Sequence, residues 1–102
     1  MYNQATLQLL ERKEHNSYGY KIKRIQKQED FKRSNIERFS ELTKREIEIT
    51  VLVANGFNNP QIAEMLFINR FIVEQRRKHI NRKLGIKNFV QLFQYATAFD
   101  LT

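Results

Sequence analysis

Four helix-start signals in the second half of the chain limit its fold more than any other feature. Thr43-Lys44-Arg45-Glu46 has a hydroxyl at the N-cap and a carboxylate three residues on, the capping-box form. Asn58-Asn59-Pro60-Gln61 repeats the device with Gln at the third position. Pro60 falls in the first turn, where a missing N–H does no harm. Asn69 and Asn88 supply two further caps, and Gly56 and Gly85 stand where a helix is stopped by a left-handed residue. The spacing predicts helices from Thr43 to Asn55, from Asn58 to about Phe67, from Asn69 to Leu84 and from Asn88 to about Asp100. Helices this short with such tight connections must fold back on one another rather than form a long coiled coil.

The first 40 residues are less sharply marked. Leu7, Leu9 and Leu10 predict a short helix, and Asn16-Ser17-Tyr18-Gly19 a break after it. From Tyr20 to about Arg38 the composition again favours helix, with Ile22, Ile25, Ile36 and Phe39 spaced 3, 11 and 3 apart. Glu29 and Lys32 interrupt that stripe, so a polar linker helix is expected instead of a stable coiled coil. The chain reads as an all-α protein, with an N-terminal helical extension or linker at 1–40 and a compact domain at 41–102. No strand alternation, internal repeat or low-complexity tract is evident.

Charge separates functions. The chain carries 18 Lys and Arg against 11 Asp and Glu, a net charge of +7. Residues 11–38 are net +4, residues 39–69 net −2, and residues 70–87 net +6. So dense a cationic run suits phosphate, because neutralising phosphates releases condensed counterions. A solvated basic helix face is the plainer alternative. With no Cys there is no disulfide framework, zinc-thiolate site or redox thiol. His15 and His79 lack a third ligand at metal spacing and read as surface histidines. No glycine-rich phosphate loop or acid–base pair is present, so no enzyme, cofactor or metal is expected. No apolar run reaches bilayer length and the N-terminus lacks signal-peptide character, so a cytoplasmic protein without membrane attachment is expected.

The stretch from Asn58 to Leu84 holds a short helix, a tight turn and a longer basic helix, which is the helix-turn-helix plan. At about 100° per residue, Val73, Ile80 and Leu84 form one apolar face of the second helix. Phe71, Glu74, Gln75, Lys78 and Arg82 lie opposite. Glu74, Gln75 and Lys78 are therefore the expected base readers, and Arg76, Arg77, Arg82 and Lys83, with Asn59, the expected phosphate contacts. Phe71 would pack on thymine methyl groups or simply close the turn.

Leu42-Thr43-Lys44-Arg45-Glu46-Ile47-Glu48 and Ala54-Asn55-Gly56 open a pattern that resembles the LuxR/GerE-type (NarL/FixJ-like) helix-turn-helix family. It continues through Asn59-Pro60-Gln61-Ile62-Ala63-Glu64-Met65-Leu66-Phe67-Ile68, Ile80-Asn81-Arg82-Lys83-Leu84-Gly85-Ile86-Lys87-Asn88 and Tyr95-Ala96. The resemblance spans about Phe39 to Leu101. It implies a four-helix bundle from bacterial transcription regulators, often a response-regulator output domain, whose third helix reads double-stranded DNA and whose fourth commonly dimerises. RNA polymerase is then a candidate partner.

Several positions depart from the family pattern. Ile72-Val73 stand where Thr-Val is usual, Arg76 where His is common, and Glu74 where a basic or small residue is frequent. Glu accepts from cytosine N4, so the target sequence is expected to differ from that of relatives. Thr50 replaces a usual core Leu. Val51 with Ile47 makes an apolar pair on a face normally exposed, which implies cover by the N-terminal segment or a partner. On the fourth helix, Val90, Phe93 and Ala96 are expected to fill the core. Phe89, Leu92, Tyr95 and Phe99 would then form a homodimer face, unless the N-terminal helices cover them. Two other readings remain: a sigma-factor region-4-like domain, and a protein-interaction adaptor without a DNA target.

Overall fold

A computed structural model describes residues 15–102, with side chains described from residue 21 onward. Among the described residues all regular structure is helical: α1 (His15–Ser40), α2 (Lys44–Ala54), α3 (Asn59–Leu66), α4 (Arg70–Leu84) and α5 (Phe89–Ala98). None of these helices is long and apolar enough to cross a membrane.

The caps perform as their chemistry dictates. Thr43 Oγ1 accepts from the Glu46 N–H at 3.2 Å, and Glu46 Oε1 accepts from the Thr43 N–H at 2.8 Å. Asn58 and Gln61 exchange the same pair of bonds at 3.0 and 2.9 Å. Asn69 and Asn88 cap α4 and α5 through the N–H groups of Ile72 and Gln91. Gly56 and Gly85 both have positive φ, as a helix stop requires. The stop after α3 is different: Phe67, not a glycine, takes the left-handed conformation there.

Two boundaries differ from expectation. The predicted break at Asn16-Ser17-Tyr18-Gly19 is absent, since α1 runs through it. A single Gly inside a helix costs only about 1 kcal/mol, which a long helix absorbs. α5 stops at Ala98, two residues early, with Phe99 as its C-cap. The short helix expected around Leu7, Leu9 and Leu10 lies outside the described residues.

The core joins Leu42, Ile49 and Val53 to Ile62 and Ala63 of α3, Val73, Ile80 and Leu84 of α4, and Leu92, Tyr95 and Ala96 of α5. Thr50, standing in for a core Leu, is fully buried because its hydroxyl donates to the Glu46 carbonyl at 2.8 Å. Ile47 and Val51 are half-buried, and Ile47 packs against the core.

The inward face of α5 corrects the sequence reading. Val90 is 75% exposed and Phe93 is open, while Leu92 and Tyr95 are each 3% exposed. The inward stripe is Leu92, Tyr95 and Ala96, which join the core of α2, α3 and α4, and the C-cap Phe99 packs against it; α1 covers the same side. Its C-terminal half packs on α5, setting Phe31 edge-on to Tyr95 at 4.9 Å and stacking Phe39 on Phe99 at 4.1 Å. Lys32 Nζ lies 5.8 Å from the Phe99 ring centroid. A hydrophobic pattern on α5 alone does not reveal which of its two apolar stripes a preceding helix covers.

Candidate nucleic-acid interface

α3 and α4 pack together around Ile62, Ala63 and Val73, joined by Phe67-Ile68-Asn69. The Ile68 N–H returns to the Ala63 carbonyl at 3.0 Å, closing α3, and Asn69 opens α4 at once. Burying Val73, Ile80 and Leu84 fixes the rotation of α4 about its own axis. Lys78 and Arg82 are then exposed, and Glu74, Gln75 and Arg76 half-exposed, on the sides turned away from the core. Phe71 is exposed at the start of the helix.

Four of the charged residues on α4 have partners, in three pairings. Arg70 Nε lies 3.4 Å from Glu74 Oε1, one helical turn on. Arg77 Nη1 donates to Asn59 Oδ1 at 2.8 Å, so the structure brings together two residues expected separately at phosphate. Lys83 Nζ donates to Glu46 Oε1 at 2.7 Å. Sequence reading missed that last pairing: 37 residues separate the two, and the capping role of Glu46 already accounted for its carboxylate. The Arg77 contact had a visible signal, because Arg77 projects within about 40° of Val73 and so toward a neighbouring helix.

Glu46 is 1% exposed. Burial pushes its carboxyl pKa up. The Lys83 hydrogen bond, the Thr43 N–H and the Lys83 charge outweigh that, and the net shift is downward. At the same C-terminal end of α4, the Tyr95 hydroxyl lies 2.9 Å from the Leu84 carbonyl oxygen. Burial pushes the Tyr95 pKa up against an opposing pull from the Arg38 charge. Arg38 comes from α1 and lays its guanidinium against Gly85, a close approach that a Cβ there would block.

Of the four residues expected at a dimer face, Phe89 is open, Phe99 is half-buried, and Leu92 and Tyr95 are buried within the chain. Phe89 and Phe93 lie 5.8 Å apart between ring centroids. With Val90 they form the apolar surface that α5 presents outward.

A short helix, a three-residue turn and a basic helix with one face anchored and one open make a helix-turn-helix module, an architecture found in DNA-binding proteins. Comparison with known proteins places it more narrowly. The model of the bacterial regulatory proteins of the luxR family (GerE) matches residues 40–96, more than half of the chain, and the chain belongs to that family. It is also similar to the oxygen regulatory protein NreC of Staphylococcus aureus strains JH9 and JH1, 47% identical over 58 residues. The match takes in 57% of this chain and spans 27% of each relative's length.

Proposed function

We propose that the chain binds double-stranded DNA sequence-selectively in the cytoplasm, with α4 in the major groove, as a non-catalytic transcription regulator. The observation that carries this reading is the fixed rotation of α4: core burial of Val73, Ile80 and Leu84 leaves Glu74, Gln75, Lys78 and Arg82 on the open sides. Glu74, Gln75 and Lys78 read base edges, each good bidentate contact giving about 1–3 kcal/mol of discrimination. Arg76 and Arg82 hold phosphates. Arg77 and Asn59, already paired, present a joined cation and amide to the backbone where α3 begins.

Two copies would bind a two-fold site, as helix-turn-helix dimers do. The second copy meets Phe89 together with Val90 and Phe93, the apolar side chains that α5 leaves open. Leu92, Tyr95 and Phe99 support that surface from within. RNA polymerase is the partner through which such binding would alter transcription.

Selection from a random duplex library at two salt concentrations, repeated with Lys78→Ala, tests the reading. An enriched palindrome that is lost on mutation supports it. Binding that is equally weak for every duplex and indifferent to Lys78→Ala would instead indicate a protein-interaction adaptor.

A further inference from the structure

Lys83 lies in the most cationic stretch of the sequence, and its position on the flank of α4 marks it as a phosphate contact. Its surroundings say otherwise. Nζ lies 2.7 Å from Glu46 Oε1, and the ammonium-bearing side chain is 31% exposed against 1% for its partner. The same carboxylate oxygen accepts the Thr43 N–H at 2.8 Å. Glu46 thus sits at the first turn of α2, and Lys83 in the last turn of α4. We propose that Lys83 is a positioning residue for DNA binding: through Glu46 it fixes the C-terminal turn of α4 to the start of α2 and makes no phosphate contact of its own. The assignment rests on the DNA-binding reading above.

The electrostatics lead the same way. A cation already neutralised at contact distance by a buried carboxylate adds little net charge toward DNA, so it releases little of the counterion atmosphere. Taking Lys83 away leaves Glu46 buried without its charge partner, a far costlier state than an exposed lysine lost from solvent. The carboxylate then either protonates or draws in water, and either response loosens the seat of α4. Helix rotation and tilt within the groove set which side chains reach base edges, so a loosened seat weakens selectivity along with affinity.

A thermodynamic cycle separates this role from direct phosphate binding. The wild type, Glu46→Gln, Lys83→Met, Lys83→Gln and the Glu46→Gln/Lys83→Met double variant are titrated with the duplex enriched from the library at several salt concentrations. Circular dichroism and melting confirm that each is folded at the assay temperature. Glu46→Gln keeps the capping box, which accepts either residue. As a positioning residue, Lys83→Met lowers affinity about tenfold without changing the salt slope. Glu46→Gln also weakens binding, although it removes a negative charge, and the double variant loses less than the two single losses combined. Lys83→Gln still donates to Glu46 and recovers most of the affinity. A phosphate contact gives the opposite set: the salt slope falls by about one unit, Lys83→Gln is as weak as Lys83→Met, and Glu46→Gln binds as well as the wild type or better. That set would overturn the assignment alone.

Carbon-13 titration of the Glu46 carboxyl in free protein checks the strut without DNA. Its midpoint rises in Lys83→Met, and an unmoved midpoint sinks the proposal even if every binding result is favourable. A wild type that selects no duplex overturns the DNA reading and this assignment together.

Discussion

The Tyr95 hydroxyl lies 2.9 Å from the carbonyl oxygen of Leu84, the last residue of α4, and 3.0 Å from Asn35 Oδ1 of α1. A phenol has one proton, so the two acceptors share it. Asn35 is itself held by donating to the Phe31 carbonyl at 2.8 Å. Three helices therefore meet at one hydroxyl, and α4 is tied at its end to the extension that precedes the bundle.

Tyr95→Phe keeps the ring packed against Phe31 and removes only that hydroxyl. The Leu84 carbonyl loses its side-chain donor in a buried setting, which costs about 1–3 kcal/mol. A urea melt should show a lower midpoint with an unchanged slope, because the surface exposed on unfolding is the same. A midpoint equal to that of the wild type would mean that water replaces the phenol without loss.

Phe39 and Phe99 stack at 4.1 Å with their planes 5° apart. Phe39 precedes the four-helix part that the cap signals mark out, yet its ring covers Phe99, the C-cap of α5. Phe39→Ala should destabilise the protein by about 2 kcal/mol, less than a fully buried ring because Phe39 is half-buried. A double-mutant cycle with Phe99→Ala should return about 0.5–1.5 kcal/mol of coupling. Zero coupling would mean that the extension merely lies over the bundle.

Local chemistry made the second half of the fold legible. Four caps and two glycine stops placed α2 to α5 within a residue or two, because a cap is settled by side chains three positions apart. Val73, Ile80 and Leu84 gave the rotation of α4 for the same reason. What stayed hidden depends on long-range packing. Choosing Leu92 and Tyr95 over Val90 and Phe93 as the inward stripe of α5 requires knowing which side joins the core of α2, α3 and α4, and where Phe31 and Phe39 arrive. Pairing Lys83 with Glu46 requires knowing that the first turn of α2 meets the last of α4. Phe67 was unforeseen because a left-handed stop normally announces itself by Gly or Asn.

Glu46 links stability to acidity. Its folded-state pKa lies below the ordinary 4.5, so folding favours the ionised carboxylate. The stabilisation is fully present above 4.5 and is lost as pH falls through the lower, folded-state value. Urea midpoints measured from neutral pH downward should therefore fall in that acid window. Glu46→Gln should start lower at neutral pH and decline less steeply on acidification. Parallel curves for the two proteins would assign the acid sensitivity to other carboxylates.

Gly85→Ala meets two obstacles. The position has φ +67, and an added Cβ would strike the Arg38 guanidinium. Arg38 presents the far end of a flexible side chain and can swing aside, so the backbone sets the cost at about 1–2 kcal/mol. Tyr95 offers a second readout, since the Arg38 charge opposes the upward push of burial on its pKa. Displacing Arg38 should raise the pH at which the Tyr95 phenolate absorbs. An unaltered phenol titration would show that the guanidinium holds its place.

Phe67 presents the converse case at the other end of α4. It adopts φ 56, ψ 41 while its residue surface is 94% exposed. The left-handed conformation costs a residue with a Cβ about 1–2 kcal/mol, and Asn tolerates it better than Phe. So little of the ring is covered that few apolar contacts offset the strain. Phe67→Asn should therefore stabilise the free protein by about 0.5–1 kcal/mol, read as a higher melting temperature. The residue lies on the turn between α3 and α4, beside the proposed groove-facing helix, so the same variant probes the interface. A protein that melts higher and binds its selected duplex less tightly would show that the strained ring contacts DNA. Unchanged binding would confine the effect to the turn, and a lower melting temperature would refute the strain argument itself.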